Sequence, residues 1–507
     1  MGVDQSSKVA EVAHRIREMV HAGTLRTGDA LPSTRSLAAQ LGVARGTVVA
    51  AYDQLDGEGY IRTRQGAAAR VVPDVAAGAG RLAPEVASTD GSRGSSPDLS
   101  GSASTAATTT PSATGGRVID LRPGIPAVAE FPLRDWRAAW RAAAAAPLVA
   151  ALSDPFGSAA LRTQIAALGL TRGFATDPSR VIVTAGTSEG LSLITDALRA
   201  LHGRSPRIAV EDPGYRSGRR AILGSGGELI GVPVTEEGLD LDRLEALERH
   251  GGLPDAVMVT PTHQYPLGSV MPVARRRRLL EWASAHQVVV IEDDYDSEFR
   301  HRGVPMPALA SLDAEGVVLH LGGFSKILDP RLRCAYLVMP GIEAADGIPP
   351  DADTARIGMR FADALRRARV ARGPVVSEVT QSALAHLMRT GALRRHLGRV
   401  RRDYLHRRDR IAARVADAQI PGLEAHALAG GLHTVLTWPH SSAGVGPVCP
   451  LPDARELRAR LSRHGILVEE LATYAVSAST AMNGLVLGYG AASLTQLDRA
   501  LDLILQP

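Results

Sequence analysis

Apolar residues at Val9, Val12, Ile16 and Val20 recur at helical spacing, so Lys8 to Ala22 is predicted to form an amphipathic helix ending near Gly23. Ser33 caps a second predicted helix, Thr34 to Leu41, which Gly42 stops. A third begins near Ala44 and buries Val48, Tyr52 and Leu55 along one stripe. Helix, short glycine turn, helix is the helix-turn-helix layout. Beyond Gly59, the runs Tyr60 to Arg64 and Ala69 to Val72 flank Gln65-Gly66 and read as a hairpin wing.

The pattern then changes twice. Residues 73–117 are Ala, Gly, Ser, Thr and Pro with almost no large apolar side chains, too little to offset the entropy of ordering. They read as a flexible linker, and a random coil of about 45 residues reaches roughly 35–40 Å. From 118 onward, short apolar runs alternate with helical segments: Arg180–Val183, Arg207–Val210, Ala256–Val259, Val288–Ile291 and Val317–Leu321. Near-continuous apolar strands separated by helices imply a parallel or mixed sheet covered on both faces. The expected organisation is a DNA-binding-type unit over 1–72, a linker over 73–117 and an α/β domain over 118–507.

Composition changes this picture in a few places. A chain of 507 residues suits two or three domains, and with 4% aromatics its cores must be filled by alanine, leucine and valine. A net charge of +4 is compatible with nucleic acid contact. Cys334 and Cys449 have neither disulfide nor metal spacing, so no metal site is expected and a reducing cytoplasm is. No signal peptide is evident, and the most membrane-like stretch, Ala142 to Leu152, is too short to span and contains Pro147.

Only two of the 57 basic residues are lysines, Lys8 and Lys326. Arginine replaces lysine as a surface charge but not as a nucleophile, because guanidinium does not shed its proton. Lys326 follows the apolar run Val317–Leu321, the context of a Schiff-base lysine at the end of a buried strand.

In a helix-turn-helix the start of the second helix enters the major groove. Here Arg45 would reach guanine edges or phosphate and Thr47 would donate to phosphate, while Ser33 and Arg35 begin the preceding helix, where free amides suit a phosphate. Arg62, Arg64, Gln65 and Gly66 place donors on the wing. The run Leu31-Pro32-Ser33-Thr34-Arg35-Ser36-Leu37-Ala38 through Val48, continued by Ala51-Tyr52, Leu55 and Glu58–Ile61, resembles the winged helix of GntR-type transcription regulators. The resemblance implies DNA contacts at Arg35, Arg45, Thr47 and Gly66.

Pyridoxal phosphate needs a lysine, an acid for its pyridine nitrogen, a phosphate cradle and a stacking partner. The acid candidates lie in Glu292-Asp293-Asp294-Tyr295, where Tyr295 would also reach the 3-hydroxyl. Gly186-Thr187-Ser188-Glu189, before the helical segment Gly190–Leu201, offers a helix N-terminus and two hydroxyls, and Arg333 a bidentate charge. Tyr215, after Pro213-Gly214, is the stacking candidate. Jointly these stretches, with Thr260–Gly268, Glu292–Phe299, Phe324-Ser325-Lys326 and an arginine-rich helix over Gln381–Arg408, resemble the MocR/GabR subfamily of GntR regulators. That subfamily fuses a winged helix to a fold-type I aminotransferase-like domain. The resemblance implies a mixed, mostly parallel sheet with helices on both faces and a small C-terminal α/β subdomain. It implies a Schiff base at Lys326, Asp293 at the pyridine nitrogen, Tyr295 at the 3-hydroxyl and Tyr215 stacked on the ring. Phosphate would be held by Thr187, Ser188, Ser325 and Arg333. It also implies a homodimer on double-stranded operator DNA.

The chain departs from working aminotransferases of this fold in three places. Tyr265-Pro266-Leu267-Gly268 replaces an Asn-Pro-Thr-Gly-like turn, Val486 stands where a substrate-clamping arginine is expected, and Gly323 replaces a frequent phosphate-binding serine. The expectation is sensing of pyridoxal phosphate, an amine or an amino acid through Lys326. The alternative is an active aminotransferase with an accessory DNA-binding head.

Overall fold

The structure is a computed structural model, and it describes all residues except 1–7, 10, 14, 17–18, 20–24, 26–27, 58–59, 63–67, 72–117, 250, 300–306, 342–354, 440–448 and 507. The predicted linker, the end of the first helix and the wing residues Arg64, Gln65 and Gly66 therefore lie outside the described residues.

In the N-terminal unit, the described residues between 8 and 19 are helical, and Val12, Ala13 and Ile16 are buried. The helix Thr34–Leu41 starts at Ser33, whose hydroxyl accepts from the Ser36 amide at 3.1 Å, and ends at Gly42 with φ 63°. A residue with a Cβ is disfavoured at that φ, so glycine makes the tight turn. The helix Arg45–Gly57 follows, with Val48, Ala51, Tyr52 and Leu55 buried, and Tyr52 Oη donates to the Pro32 carbonyl at 2.7 Å. Ile61–Arg62 and Arg70–Val71 pair antiparallel as the base of the wing.

The large domain is built on an eight-stranded sheet. Its spatial order is Val181–Thr184, Ala335–Val338, Val318–Gly323, Val289–Asp294, Ala256–Val259, Arg207–Asp212, Glu228–Thr235, Gly238–Leu239. The five strands from Val318–Gly323 to Glu228–Thr235 are mutually parallel. Ala335–Val338 runs against both neighbours, so Val181–Thr184 points the same way as the parallel set. Apolar clusters cover both faces of the sheet. A second sheet, Glu424–His426, His433–Thr437, Gly484–Gly488, Glu469–Glu470, is wholly antiparallel and packs with Ala454–Arg463 and Leu494–Ile504 as a C-terminal α/β unit.

The five apolar runs read from the sequence all become strands of the large sheet. The strands Glu228–Thr235 and Ala335–Val338 were not among those runs. The expected single arginine-rich helix over Gln381–Arg408 is corrected to two, Glu378–Arg389 and Ala392–Ala418, broken at Gly391 with φ 70°. The winged helix rests on the large domain. Val273 joins its apolar cluster, and Arg277 Nη2 donates to Tyr60 Oη at 3.2 Å with its guanidinium 5.7 Å from the ring centre. Among the described residues no helix is long and apolar enough to cross a membrane.

Candidate functional site

Because the central strands are parallel and Val181–Thr184 shares their direction, their carboxyl ends converge on one edge, where open α/β sheets bind ligands. Val318–Gly323 delivers Ser325 and Lys326 there, Val289–Asp294 delivers Asp293, Val181–Thr184 leads into Thr187 and Ser188, and Arg207–Asp212 leads to Tyr215.

Lys326 Nζ donates to the Gly124 carbonyl at 3.1 Å. Gly124 has φ 83°, a backbone conformation that favours glycine, and a Cβ there would push the Lys326 amine aside. Burial lowers the lysine's pKa, opposed by the negative fields of Asp293, Asp296 and Glu469. An amine that loses its proton more readily is the form that attacks an aldehyde.

Asp293 and Asp294 are adjacent on one strand, so their side chains point to opposite faces of the sheet. Asp294 is bound twice by Arg172, at 2.9 and 2.5 Å, and lies 3.7 Å from His320 Nε2; Arg172 and His320 lower its pKa against the cost of burial. Asp293 is 4% exposed, and its Oδ1 has no hydrogen-bond partner among the described residues. Burial, then the neighbouring charges of Asp294 and Glu211, push it up to about 7. A buried acid lacking a donor fits a protonated pyridine nitrogen.

The phosphate cradle fits equally. Gly186 has φ 92° and opens the helix Thr187–His202, whose first amides have no partner within the helix. A Cβ on Gly186 would come within 2.7 Å of Arg333 Nη2, so Arg333 lies directly over this turn. Thr187 Oγ1 is 3.3 Å from Tyr215 Oη, and Ser325 lies in the turn before Lys326. The residues present therefore suit pyridoxal phosphate: Thr187, Ser188, Ser325 and Arg333 for its phosphate, Tyr215 beside its ring, Asp293 for its nitrogen and Lys326 for its aldehyde carbon.

Tyr295 lies at this edge, but its hydroxyl is 3.0 Å from His263 Nδ1, which is also 2.8 Å from Asp296 Oδ2. Asp296 and His263 had no individual role assigned from the sequence; their signal was the polar content of two strand-end loops. Glu211 is also buried and pushed up to about 7, although it accepts from the Thr260 amide and hydroxyl and from Gln264. Val486 pairs with Val435 on one side and Glu469 on the other, and clusters with Tyr265 and Tyr474.

On the winged helix, Ser33, Arg35, Arg45 and Arg62 are exposed, and Arg45 Nε donates to Thr34 Oγ1 at 3.4 Å. The expectation for Thr47 is corrected: it is 2% exposed, packed beneath the helix start and not open to a phosphate.

Residues 8–71 match the GntR family of bacterial regulatory proteins, and residues 117–482 match the aminotransferase class I and II family. The chain is 37% identical over 492 residues to the HTH-type pyridoxine biosynthesis transcriptional regulator PdxR of Corynebacterium glutamicum, covering 96% of this chain and 93% of that one. It is 31% identical to the probable rhizopine catabolism regulatory protein MocR of Rhizobium meliloti, over 78% of this chain and 75% of that one. In fold it is similar to an archaeal alanine:glyoxylate aminotransferase, with a TM-score of 0.65 at 20% identity over 77% of this chain and 90% of the other. A winged helix of one family and a lysine-centred cofactor site of the other, joined in one chain alike along its length to regulators of the same build, place this protein among the MocR-type members of the GntR family, with a pyridoxal-phosphate-dependent aminotransferase-like domain.

Proposed function

We propose that this chain regulates transcription in response to pyridoxal phosphate itself. The observation that carries the reading is the contrast within one site. The groups for the cofactor are complete, from Lys326 through unpartnered Asp293 to Arg333, while Val486, buried between Val435 and Glu469, offers nothing to orient an amino-acid substrate. Pyridoxal phosphate, when bound, supplies an aldehyde that condenses reversibly with an amine. The protein's part is to ease proton loss from the buried Lys326 amine, seat the phosphate and supply an acid to the ring nitrogen. The relative's name, a regulator of pyridoxine biosynthesis, supports the same effector.

Such a signal must favour one conformation over another to reach DNA. Arg276 supports a route: its guanidinium donates to the carbonyls of Met271, Pro261 and Pro307, gripping the loop that carries His263 and Tyr265, and the next residue, Arg277, meets Tyr60 of the winged helix. A homodimer in the cytoplasm on a two-fold operator completes the proposal. Leu148, Val149 and Leu152, 102, 77 and 90% exposed in one short stretch, support a second copy of the chain as their cover.

The test is operator affinity of the full-length protein, measured by fluorescence anisotropy on DNA recovered by in vitro selection, with and without pyridoxal phosphate. Affinity is expected to change by at least about fivefold, the lower range of coupling between sites. In Lys326→Ala the change is expected to vanish; a cofactor effect that survives in that variant overturns the proposal.

A further inference from the structure

Two guanidiniums near the Lys326 pocket are each engaged with a carboxylate of the chain itself. Arg122 lies in the segment whose Gly124 carbonyl receives Lys326, and it is forked onto Asp120 at 2.9 and 2.6 Å. Arg216 follows Tyr215 and directs Nη2 at Glu469 Oε2, 3.6 Å away. The same Glu469 oxygen accepts from Tyr474 Oη at 2.5 Å, Tyr474 Oη stands 3.2 Å from Tyr265 Oη, and the Arg216 guanidinium lies 5.8 Å from the Tyr474 ring centre. Directly opposed residues of an antiparallel ladder share a face, so Glu469 and Val486 belong to one wall with Tyr265 and Tyr474. Glu469 lies close enough to act on Lys326: its negative field, with those of Asp293 and Asp296, opposes the effect of burial on that amine.

We propose that Glu469 is a resident carboxylate. It occupies Arg216 and Tyr474, the donors a ligand's carboxylate would otherwise find, so the pocket admits primary amines without a carboxylate and turns away α-amino acids. Glu469 then acts on specificity and touches no reacting atom. An α-carboxylate brought to this wall meets a like charge, and the fully buried Val486 supplies no guanidinium fork to offset it. Free amino acids would then not compete with Lys326 for the cofactor, and the site would report pyridoxal phosphate in their presence. This rests on the reading of Lys326 as the cofactor-bearing residue.

The experiment titrates full-length, cofactor-loaded protein with n-propylamine and with L-2-aminobutyrate, the same carbon skeleton bearing a carboxylate, and follows cofactor absorbance. Wild type is expected to respond to the amine at a concentration at least about tenfold lower, the scale of one charge-assisted hydrogen bond. In Glu469→Ala, and in the isosteric Glu469→Gln should the first fold poorly, Arg216 is released and the preference is expected to shrink by about tenfold. Adding Arg216→Ala is expected to restore it. A second readout needs no cofactor: calorimetric titration of the cofactor-free protein with butyrate should give binding heat for Glu469→Ala and none for wild type or the double variant. The inference is overturned by equal response of wild type to both probes, by response to neither where both react with the free cofactor, or by an unchanged preference together with no butyrate binding in both Glu469 variants. A wild-type protein that takes up no cofactor sinks the reading of Lys326 instead, and the butyrate titration still judges Glu469.

Discussion

At Asp293 the fold keeps a buried carboxyl without a donor, and this has a consequence for stability that Asp294, one residue along the strand, does not share. Below about pH 4 both folded and unfolded chains hold the Asp293 proton. Between there and its folded value of about 7 the unfolded chain has released it and the fold has not, so its contribution falls as pH rises and is fully lost above that value. In cofactor-free protein, Asp293→Asn is therefore expected to raise thermal stability at pH 8, by roughly 1–3 kcal/mol, and to change it little at pH 4. Thermal unfolding of the two proteins at both pH values checks this. The same variant should weaken pyridoxal phosphate binding at least about tenfold, read by equilibrium dialysis, because a charge-assisted partner of the ring nitrogen is gone. The choice between the two acids was legible from the sequence only through resemblance. What separates them physically is Arg172, 122 positions away in the chain, and no local pattern announces such a partner. Glu469 went unread for the same reason, since its meaning comes from lying across a ladder from Val486.

The helix Val273–Ala285 shows how far an element can be read before its surroundings are known. In the sequence Arg275-Arg276-Arg277-Arg278 is a uniform basic run. In the fold its four members diverge: Arg275 pairs with Glu237, Arg276 is buried on three carbonyls, Arg277 meets Tyr60, and Arg278 bridges Asp242 and Glu245. The elements whose causes are local were readable. Ser33 and Gly42 bound a helix at the positions their chemistry dictates, and the apolar runs of the large sheet are strands because both faces are covered. If the tandem Arg276-Arg277 carries the signal, Arg277→Ala should leave cofactor uptake unchanged yet reduce the effect of pyridoxal phosphate on operator affinity by about threefold or more, since a guanidinium over an aromatic ring contributes roughly 0.5–2 kcal/mol. Parallel absorbance and anisotropy titrations separate the two readouts, and a full cofactor effect in the variant would remove this contact from the route.

At the scale of the molecule, the proposed two-fold operator calls for two winged helices. A recognition helix covers a half-site, and paired half-sites one helical turn apart require paired heads. The large domain carries an exposed apolar stretch suited to pairing: Leu148, Val149 and Leu152 stand in solvent just ahead of Phe156, whose carbonyl accepts from the Val183 amide of the cofactor-edge strand at 2.9 Å. Burying such side chains against a second copy is worth about 1.5–3 kcal/mol each. Leu152→Arg should therefore shift sedimentation toward the monomer and, through it, weaken operator binding by at least about tenfold, because the second head no longer adds its effective concentration. Arg45→Ala should give the opposite dissociation of properties: a dimer with its cofactor site intact and operator affinity lowered by roughly 1–3 kcal/mol, the value of a good base contact. Sedimentation velocity beside anisotropy distinguishes the two variants. A Leu152→Arg protein that sediments as wild type would exclude this stretch as the pairing surface, and an Arg45→Ala protein with full affinity would move the reading head elsewhere on the winged helix.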